Sequence, residues 1–379
     1  MYPALAVLQA ARCEEKVGKH ALAHPESIAS HSSLEVFWIG SEGGMEAGLI
    51  EREALQYDTI PAAGVHGVGL RSLPGNLVQL LRGFLKSRKF LRQYQPDVLL
   101  FTGGFLAVPM ALAGIKRPSL LFVPDIEPGL ALRAIAPFAD HIAVSTKETS
   151  AFFSKYRNVT LTGYPVREDL LKWKKPEAYN ALGLKPDLPV LLVFGGSKGA
   201  RSINHALGLI LEELLSEMQV IHICGELDWQ DIEKNLQRKM ENASQPEIVE
   251  RYRVFPYLHD EMGAALRLAD VVVSRAGASI LGEFPSFGAP AILVPYPHAW
   301  RYQRLNAEYL AKHGAAVIVK DSDLSRRLLP TALELMNDPE RRAKMRQAMR
   351  KLAMPDAASN IFQLLESLGI QRSLKGSER

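Results

Sequence analysis

The chain has 379 residues, of which 47% are hydrophobic and 23% charged, and its net charge is +4. These values exclude a disordered, collagen-like or coiled-coil protein, and the charge is too small to indicate nucleic acid as a partner. The two cysteines, Cys13 and Cys224, exclude a disulfide scaffold and a zinc cluster and favour a reducing compartment. The length predicts two domains.

Short apolar runs alternate with helical patterns along the chain, after a first segment, Tyr2–Leu8, that already looks helical. Continuous apolar strands occur where both faces of a sheet are covered, so the runs predict buried parallel strands and the alternation a doubly wound α/β fold. The predicted strands are Leu34–Ile39, Val98–Phe101, Leu120–Val123, His141–Val144, Val190–Phe194, Val220–Ile223, Val271–Val273, Ala291–Val294 and Ala316–Val319, and the predicted helices include Asn76–Tyr94, Ser202–Glu217 and Arg304–His313.

Two segments of the first half raise the question of membrane contact. The uncharged segment Val98–Ile115 is long enough to cross a bilayer, but a glycine pair and a proline interrupt it. A buried strand, a glycine turn and a helix start are favoured, and with no secretory signal in residues 1–12 we expect a soluble protein. The segment Arg71–Arg92 carries six basic residues and no acidic one, interleaved with leucine and phenylalanine. It is either an amphipathic helix that rests on anionic lipid or a helix packed on the sheet with a solvated basic face.

A stretch rich in glycine and proline, residues 162–187, predicts the boundary between two domains, 1–162 and 163–354. The segment Gly163-Tyr164-Pro165-Val166-Arg167 lies at this junction. An arginine there suits a diphosphate because its guanidinium binds bidentately, although an exposed arginine without a ligand is equally compatible.

A glycine-rich loop follows the apolar run Val190–Phe194. Its residues Gly195, Gly196, Ser197 and Gly199 lead into a helical pattern. Backbone N–H groups in such a loop, together with the helix N-terminus, favour phosphate binding. Tight packing of the helix against the strand is the alternative.

Two later strand ends carry small or polar residues. After the first come Ala278 and Ser279, which leave room for a ligand, and Glu283, which is either a ribose-binding carboxylate or a solvated helix residue. After the second, Gln303 and Asn306 are three residues apart and share one helix face. They either bind a ligand or form a polar first turn of the helix.

The segment Asp321-Ser322-Asp323 has the spacing with which other transferases hold a divalent metal ion. It directly precedes a helical pattern that starts at Leu324, where aspartate is a common N-cap. Capping is therefore favoured over metal binding, and no metal site is predicted.

Together these segments resemble the bacterial peptidoglycan N-acetylglucosaminyltransferases of glycosyltransferase family 28. The spacing of four segments is similar to that of the family, and shorter motifs extend the resemblance over nearly the whole chain. The four are Gly163–Arg167, Gly195–Arg201, Arg275–Glu283 and His298–Asn306, and the shorter motifs are Tyr2–Ala6, Gly40–Glu46, Pro96–Val98, Gly103-Gly104, Pro128–Ala131, Arg133 and Pro355–Ala358.

The resemblance implies the GT-B fold, in which two Rossmann-like, doubly wound domains face each other across a cleft and the last helix, here 355–379, completes the first domain. It implies UDP-N-acetylglucosamine as donor, no cofactor, and a lipid-linked acceptor. Glu283 would hold the ribose, the backbone of Leu258 the uracil, and Arg167 a phosphate. Gln303 and Asn306 would hold the sugar hydroxyls. The implied donor-binding set is Arg167, Gly195, Gly196, Ser197, Gly199, Leu258, Ala278, Ser279, Glu283, Gln303 and Asn306.

Two departures from the family fall on the acceptor side. The family's opening strand and glycine-rich loop, with its histidine, would precede Met1, and we expect a misassigned start or a fragment. Where the family has His-Glu-Gln-Asn, this chain has Phe122-Val123-Pro124-Asp125. Asp125 is therefore either the general base for an acceptor hydroxyl or the cap of the following turn.

The sequence thus predicts an inverting glycosyltransferase at the inner face of the cell membrane. It would move N-acetylglucosamine to a polyprenyl-diphosphate-linked muramyl peptide or a related acceptor. A catalytically degenerate UDP-sugar-binding subunit and a UDP-N-acetylglucosamine 2-epimerase are the alternatives.

Overall fold

The computed structural model describes the chain except for residues 22–33, 43–46, 63–72, 197–198, 242–249, 299–300 and 378–379. It divides into two units, one of Met1–Pro165 with Asp356–Arg379 and one of Val166–Pro355. The boundaries expected from the sequence lie three residues and one residue before these two divisions.

Strands and helices alternate along both units. The strands are β1 (Phe37–Ser41), β2 (Gln56–Ile60), β3 (Leu99–Phe101), β4 (Ser119–Val123), β5 (His141–Val144), β6 (Val159–Leu161), β7 (Val190–Phe194), β8 (Gln219–Ile223), β9 (Tyr252–Phe255), β10 (Val271–Ser274), β11 (Ala291–Leu293) and β12 (Ala316–Ile318). The helices are α1 (Tyr2–Ala21), α2 (Ala47–Arg52), α3 (Leu73–Tyr94), α4 (Ala107–Ala113), α5 (Leu130–Ile135), α6 (Lys147–Ser150), α7 (Glu168–Leu171), α8 (Lys175–Leu182), α9 (Arg201–Glu217), α10 (Glu226–Glu241), α11 (Met262–Leu268), α12 (Glu283–Phe287), α13 (Tyr302–Lys312), α14 (Leu324–Met336), α15 (Pro339–Arg350) and α16 (Ala357–Ser377). Short 3₁₀ turns cover Ala136–Phe138, Ala151–Phe153, Ala278–Leu281 and Asp321–Asp323.

The second unit is built on a parallel sheet whose six described strands have the order β12-β11-β10-β7-β8-β9. Helix α9 covers this sheet because its apolar residues recur at helical spacing. Ile203, Leu207, Ile210 and Leu214 are all buried in one core cluster with the strand residue Val193. Burying each such side chain contributes about 1.5–3 kcal/mol to folding, so packing on the sheet fixes the helix that follows the glycine loop.

The first unit contains a parallel sheet, β3-β4-β5-β6, and a parallel pair, β1-β2, among its described residues. Helix α16 returns to this unit and contacts α1 and β4. Ala6, Ala10 and Ala358 form a buried cluster between the two helices, since small side chains let helices approach closely.

The two-domain α/β fold with parallel sheets that the sequence predicts is confirmed. The apolar strand predictions recur, although the strand predicted at Leu34–Ile39 begins at Phe37. Strands β2, β6 and β9, in which polar residues interrupt the apolar run, were not predicted. Two of them, β6 and β9, are sheet edges, where no continuous apolar pattern is needed because only one side pairs.

The uncharged segment Val98–Ile115 forms β3, a glycine turn and α4, as predicted. Among the described residues, no helix is both long enough and apolar enough to cross a membrane.

Candidate functional site

The sheet of the second unit reverses its direction of winding between β7 and β10. From β7 the chain proceeds to β8 and β9 on one side, and β10 then pairs with the other side of β7. Ligands of open α/β sheets bind outside the carboxyl ends of the strands at such a switch point. The segments singled out in the second half follow β7, β9, β10 and β11, so they gather at this edge.

The glycines after β7 serve two different purposes. A side chain at Gly195 would come within 2.3 Å of the Ala200 nitrogen, and one at Gly199 within 2.3 Å of the Cys224 carbonyl oxygen. These two glycines permit tight packing. Gly196 has φ +94, and apart from its chain neighbours no described residue has an atom within 4 Å of the point that a Cβ would occupy there, so there is open space beside its Cα. Ser197 lies outside the described residues.

A buried hydrogen-bond network holds the first turn of α9 behind this loop. Asn204 Nδ2 donates to the Cys224 carbonyl and to Asp228 Oδ2, each at 2.8 Å. His222 Nε2 lies 2.9 Å from Asn204 Oδ1, and His222 Nδ1 lies 2.7 Å from the Tyr252 hydroxyl. Burial lowers the pKa of His222 to about 4, so the ring is neutral at pH 7. Nε2 therefore donates to Asn204, and Nδ1 accepts from Tyr252.

Glu283 is the first residue of α12 and is half-buried. Burial raises its pKa to about 7, while a hydrogen bond with Ser279 and the charge of Arg167 act in the opposite direction. Arg167 itself pairs with Asp169 at 3.2 Å, and its side chain is 13% exposed. Glu283 is therefore no solvated helix residue, and the structure brings Ser279, Glu283 and Arg167 together. Ala278 opens the 3₁₀ turn that precedes them.

Gln303 and Asn306 bind the backbone of the neighbouring loops. Gln303 Oε1 accepts from the Tyr296 nitrogen at 2.9 Å, and Asn306 Nδ2 donates to the Ala276 carbonyl at 3.0 Å. Asn306 is fully buried, so its side chain holds the loop after β10 from the interior of the unit. Leu258, three residues after β9, is also buried.

Arg275 is a functional candidate that the sequence pattern did not reveal. Its Nη1 lies 2.5 Å from Asp321 Oδ1 and 3.2 Å from the Val294 carbonyl, and its Nη2 lies 2.7 Å from Ser202 Oγ. The side chain is 9% exposed and stacks on Tyr296 at 5.1 Å. These contacts, here called the Arg275 clasp, join the ends of β10 and β11 to the start of α9. The sequence signal that could have revealed Arg275 is its position directly after a predicted strand.

The segment Asp321-Ser322-Asp323 directly precedes α14, as predicted, but its capping role is not borne out by a hydrogen bond. Asp321 accepts hydrogen bonds from Arg275 and from Ser202 Oγ, the latter at 2.7 Å. Asp323 occupies the N-cap position of α14 but makes no capping hydrogen bond there. No group of three or more metal-ligating side chains occurs in the part of the chain that the structure describes.

In the first unit, candidate residues follow β3 and β4, which are adjacent and parallel. Gly103 and Gly104 have φ +118 and +84, and the half-buried Asp125 lies two residues beyond β4. Glu127 was not predicted, yet its side chain is 3% exposed and pairs with Arg133 at 2.6 Å. The sequence signal for Glu127, a carboxylate next to a proline, is weak.

Comparison with known proteins gives consistent results. Residues 28–144 and 190–361 match the profiles of the glycosyltransferase family 28 N-terminal and C-terminal domains. A curated relative from Roseiflexus sp. (strain RS-1), UDP-N-acetylglucosamine--N-acetylmuramyl-(pentapeptide) pyrophosphoryl-undecaprenol N-acetylglucosamine transferase, is 37% identical over 98% of this chain and 93% of its own.

Two solved structures share the fold. MurG of Acinetobacter baumannii has a TM-score of 0.69 and 23% identity, over 97% of this chain and 95% of that one. UDP-GlcNAc 2-epimerase from Neisseria meningitidis, bound to UDP-GlcNAc, has a TM-score of 0.63 and 13% identity, over 97% and 96% of the two chains. At these identities, the likenesses establish the two-domain α/β architecture alone.

Proposed function

This chain belongs to glycosyltransferase family 28, and from that membership we propose that it transfers N-acetylglucosamine from UDP-N-acetylglucosamine to a polyprenyl-diphosphate-linked muramyl peptide. The observation that carries the proposal is the gathering of the glycine loop, Arg167 and Glu283 at the switch point of the second sheet. The name of the Roseiflexus relative contains the same donor and acceptor.

The donor fits the groups that line this edge. The open space beside Gly196 can admit the diphosphate, and the N-terminus of α9 supplies positive potential for it. Arg167 adds a guanidinium, which suits phosphate oxygens. The carboxyl oxygens of Glu283 can accept hydrogen bonds from ribose hydroxyls, and Gln303 is the candidate for binding a sugar hydroxyl.

The reaction is a displacement at the anomeric carbon. An acceptor hydroxyl oxygen forms a bond to that carbon as the bond to the diphosphate oxygen breaks, and UDP leaves with the bonding electron pair. The hydroxyl proton passes to a general base, for which Asp125 of the first unit is the candidate. Negative charge grows on the leaving diphosphate, where Arg167 and the backbone amides of the glycine loop stabilise it.

A transfer assay with radiolabelled UDP-N-acetylglucosamine and the lipid-linked muramyl peptide tests this function. We expect labelled product, and in the Arg167→Ala variant a kcat/KM lower by about 100-fold. Arg304→Ala, which removes an exposed arginine of the same unit, is the control and retains activity. Donor binding without transfer would favour a degenerate subunit, and conversion of the donor without acceptor would favour an epimerase; either result contradicts the proposal.

We further propose that the first unit rests peripherally on the inner face of an anionic membrane through the Arg71–Arg92 region, whose described part is helix α3. Leu77, Leu81 and Leu85 of α3 recur every four residues and are each more than half exposed. Phe90 and Leu91 of the same helix are buried in the core. The helix thus packs on the unit through one face and presents a second apolar face outward, which is typical of interfacial helices.

Basic residues flank this apolar face. Arg82, Arg88 and Lys89 are exposed, whereas Lys86 lies 3.7 Å from Asp58 and 3.9 Å from Glu42. Arg92 of the same helix is exposed as well. These four residues are available to anionic headgroups, and each contributes about 1 kcal/mol of binding free energy near such a surface.

Co-sedimentation with phosphatidylglycerol vesicles tests the membrane surface. Replacing Arg82, Arg88 and Lys89 by Gln is expected to weaken binding by about 100-fold. The control variant replaces Lys172, Lys174 and Lys175, exposed residues of the second unit, and is expected to bind as the wild type does. If both variants bind the vesicles equally, the charged residues of α3 form only a solvated face and do not bind the membrane.

A further inference from the structure

A cavity of about 580 Å³ that is lined by basic residues lies in the second unit. It lies at the amino end of β10, opposite the carboxyl edge that carries the switch-point site. It is formed by α15 and by Asp270, the residue that precedes β10. The candidate site follows the other end of β10. Since β10 has four residues, about 13 Å of strand separates the two.

Three arginines line this cavity from one face of α15. Arg342, Arg346 and Arg350 are four residues apart, so their side chains project next to one another. Like charges at this spacing disfavour a helix unless an anion compensates them. Lys351 adds a fourth cation where the helix ends.

Backbone contacts hold the arginines in place. Arg342 donates to the carbonyl oxygens of the last two residues of α14, and Arg346 donates to the Gly288 carbonyl at 3.2 Å. Gly288 has φ +62, and a side chain there would come within 2.8 Å of Arg350 Cγ. The glycine therefore makes room for the arginine. Because a guanidinium has five N–H donors, these contacts leave donors for a ligand.

The anionic groups of the cavity do not balance this charge. Asp270 Oδ1 lies 3.7 Å from Arg346 Nη2, and its Oδ2 already accepts from the Val190 nitrogen at 3.0 Å. Across the described ranges of the chain, Arg350 and Lys351 have no ion-pair partner. Burial, together with the two neighbouring arginines, lowers the pKa of Arg346, as expected in a field with excess positive charge.

We propose that this cavity binds a phosphate-bearing anion, either a free phosphate compound or the phosphate of an anionic lipid headgroup. Guanidinium groups bind phosphate oxygens bidentately, and several of them on one rigid helix offer a preorganised set of donors. The volume falls in the range of about 300–1,000 Å³ that is usual for small-ligand sites, so a diphosphate fits. This site is independent of the proposed transferase activity.

Titration calorimetry with inorganic pyrophosphate tests the free-phosphate source. Arg350→Gln/Lys351→Gln removes two exposed, unpaired charges, so the fold is expected to persist, which a thermal melt checks. We expect this variant to bind pyrophosphate at least about tenfold more weakly than the wild type. Arg326→Gln/Arg327→Gln, with the same charge change on exposed residues of α14, should bind normally. Pyrophosphate can also occupy the switch-point site, so Arg167→Gln, which alters that site alone, is expected to lose one component of the titration and to keep the component that Arg350→Gln/Lys351→Gln loses.

Co-sedimentation with phosphatidylglycerol and phosphatidylcholine vesicles tests the lipid source, with Arg82, Arg88 and Lys89 replaced by Gln in every protein compared so that these charges of α3 do not contribute. If pyrophosphate does not bind but anionic vesicles do, and the Arg350→Gln/Lys351→Gln variant loses that binding, the occupant is a lipid phosphate. The proposal is overturned if neither probe binds. It is also overturned if both double variants weaken binding equally, or if only Arg167→Gln abolishes it.

Discussion

The carboxyl edges of the two sheets are organised differently. In the second unit, Arg275, Gln303 and Asn306 tie the loops after β10 and β11 to neighbouring elements. In the first unit, the glycine pair after β3 and the Glu127–Arg133 pair after β4 are the main features of the described edge. Side chains reach across strands at both edges, since Ser145 and Thr149, after β5, donate to the Pro124 and Asp125 carbonyls. The second edge adds an ion pair between Arg275 and Asp321, which are 46 residues apart, whereas the ion pair of the first edge, Glu127–Arg133, is local.

The difference corresponds to what each edge is proposed to bind. A diphosphate and a nucleoside require donors in fixed positions, and a buried network supplies such positions without reorganisation. The first unit is instead marked by the exposed apolar face of α3, which suits a lipid-linked substrate. Three substitutions test this division, from the largest expected effect to the smallest.

Replacing Asp125 by Asn tests the chemical role of the first edge. If Asp125 is the general base, kcat falls by about 10²–10⁴-fold, whereas KM for the donor changes little. Glu148→Gln, at an exposed position of the same unit, is the control and keeps its kcat. Steady-state kinetics with the donor varied measures both constants. An Asp125→Asn enzyme with normal kcat would leave this carboxylate without a catalytic role.

Replacing Arg275 by Ala tests the clasp of the second edge. The substitution leaves Asp321 as an unpaired, largely buried carboxylate, which is expected to lower the free energy of unfolding by about 3 kcal/mol. Arg326→Ala breaks an exposed pair with Asp323 and should lower it by less than about 1 kcal/mol. Urea denaturation compares the variants. Equal losses would mean that the clasp contributes no more than a surface pair.

Replacing Glu283 by Gln tests the buried carboxylate of the second edge. Because burial raises its pKa to about 7, the stability that the protonated form contributes is complete below pH 4.5 and is lost as the pH rises through 7. Glu283→Gln should therefore be about 2 kcal/mol more stable than the wild type at pH 8 and equal to it at pH 4.5.

Urea denaturation between pH 4.5 and 8 measures this effect. The control is Glu308→Gln, which alters an exposed carboxylate that pairs with Arg304. A pH-independent difference between Glu283→Gln and the wild type would show that the carboxyl is not held in a desolvated site.

The sequence predicted the fold and the position of the second edge because both depend on local patterns. The run at β7 is apolar throughout and the run at β5 is apolar after His141, and their bounds agree with the structure. At Gly195 and Gly199 the backbone packs too closely for a side chain, and the glycines that such packing needs are visible directly in the sequence.

Other features depend on partners that are distant in sequence. Arg275 and Asp321 are 46 residues apart, so the pattern around Asp321 indicated a helix cap and gave no sign of an ion pair. Asn306 reads as a surface residue of a first helical turn, and only the packing of α13 makes it a buried donor to Ala276. Edge strand β9 escaped prediction because Arg253 interrupts its short apolar run.

The most direct test of donor binding at the second edge is calorimetric titration of UDP-N-acetylglucosamine into the wild type and into Glu283→Ala, with Glu308→Ala as the control. We expect the wild type and the control to bind the donor, and to bind it more tightly than UDP-glucose. Glu283→Ala should bind about 10–100-fold more weakly, as expected for the loss of hydrogen bonds to a charged group. Unchanged affinity in Glu283→Ala would contradict the assignment of the donor to the switch point of the second sheet.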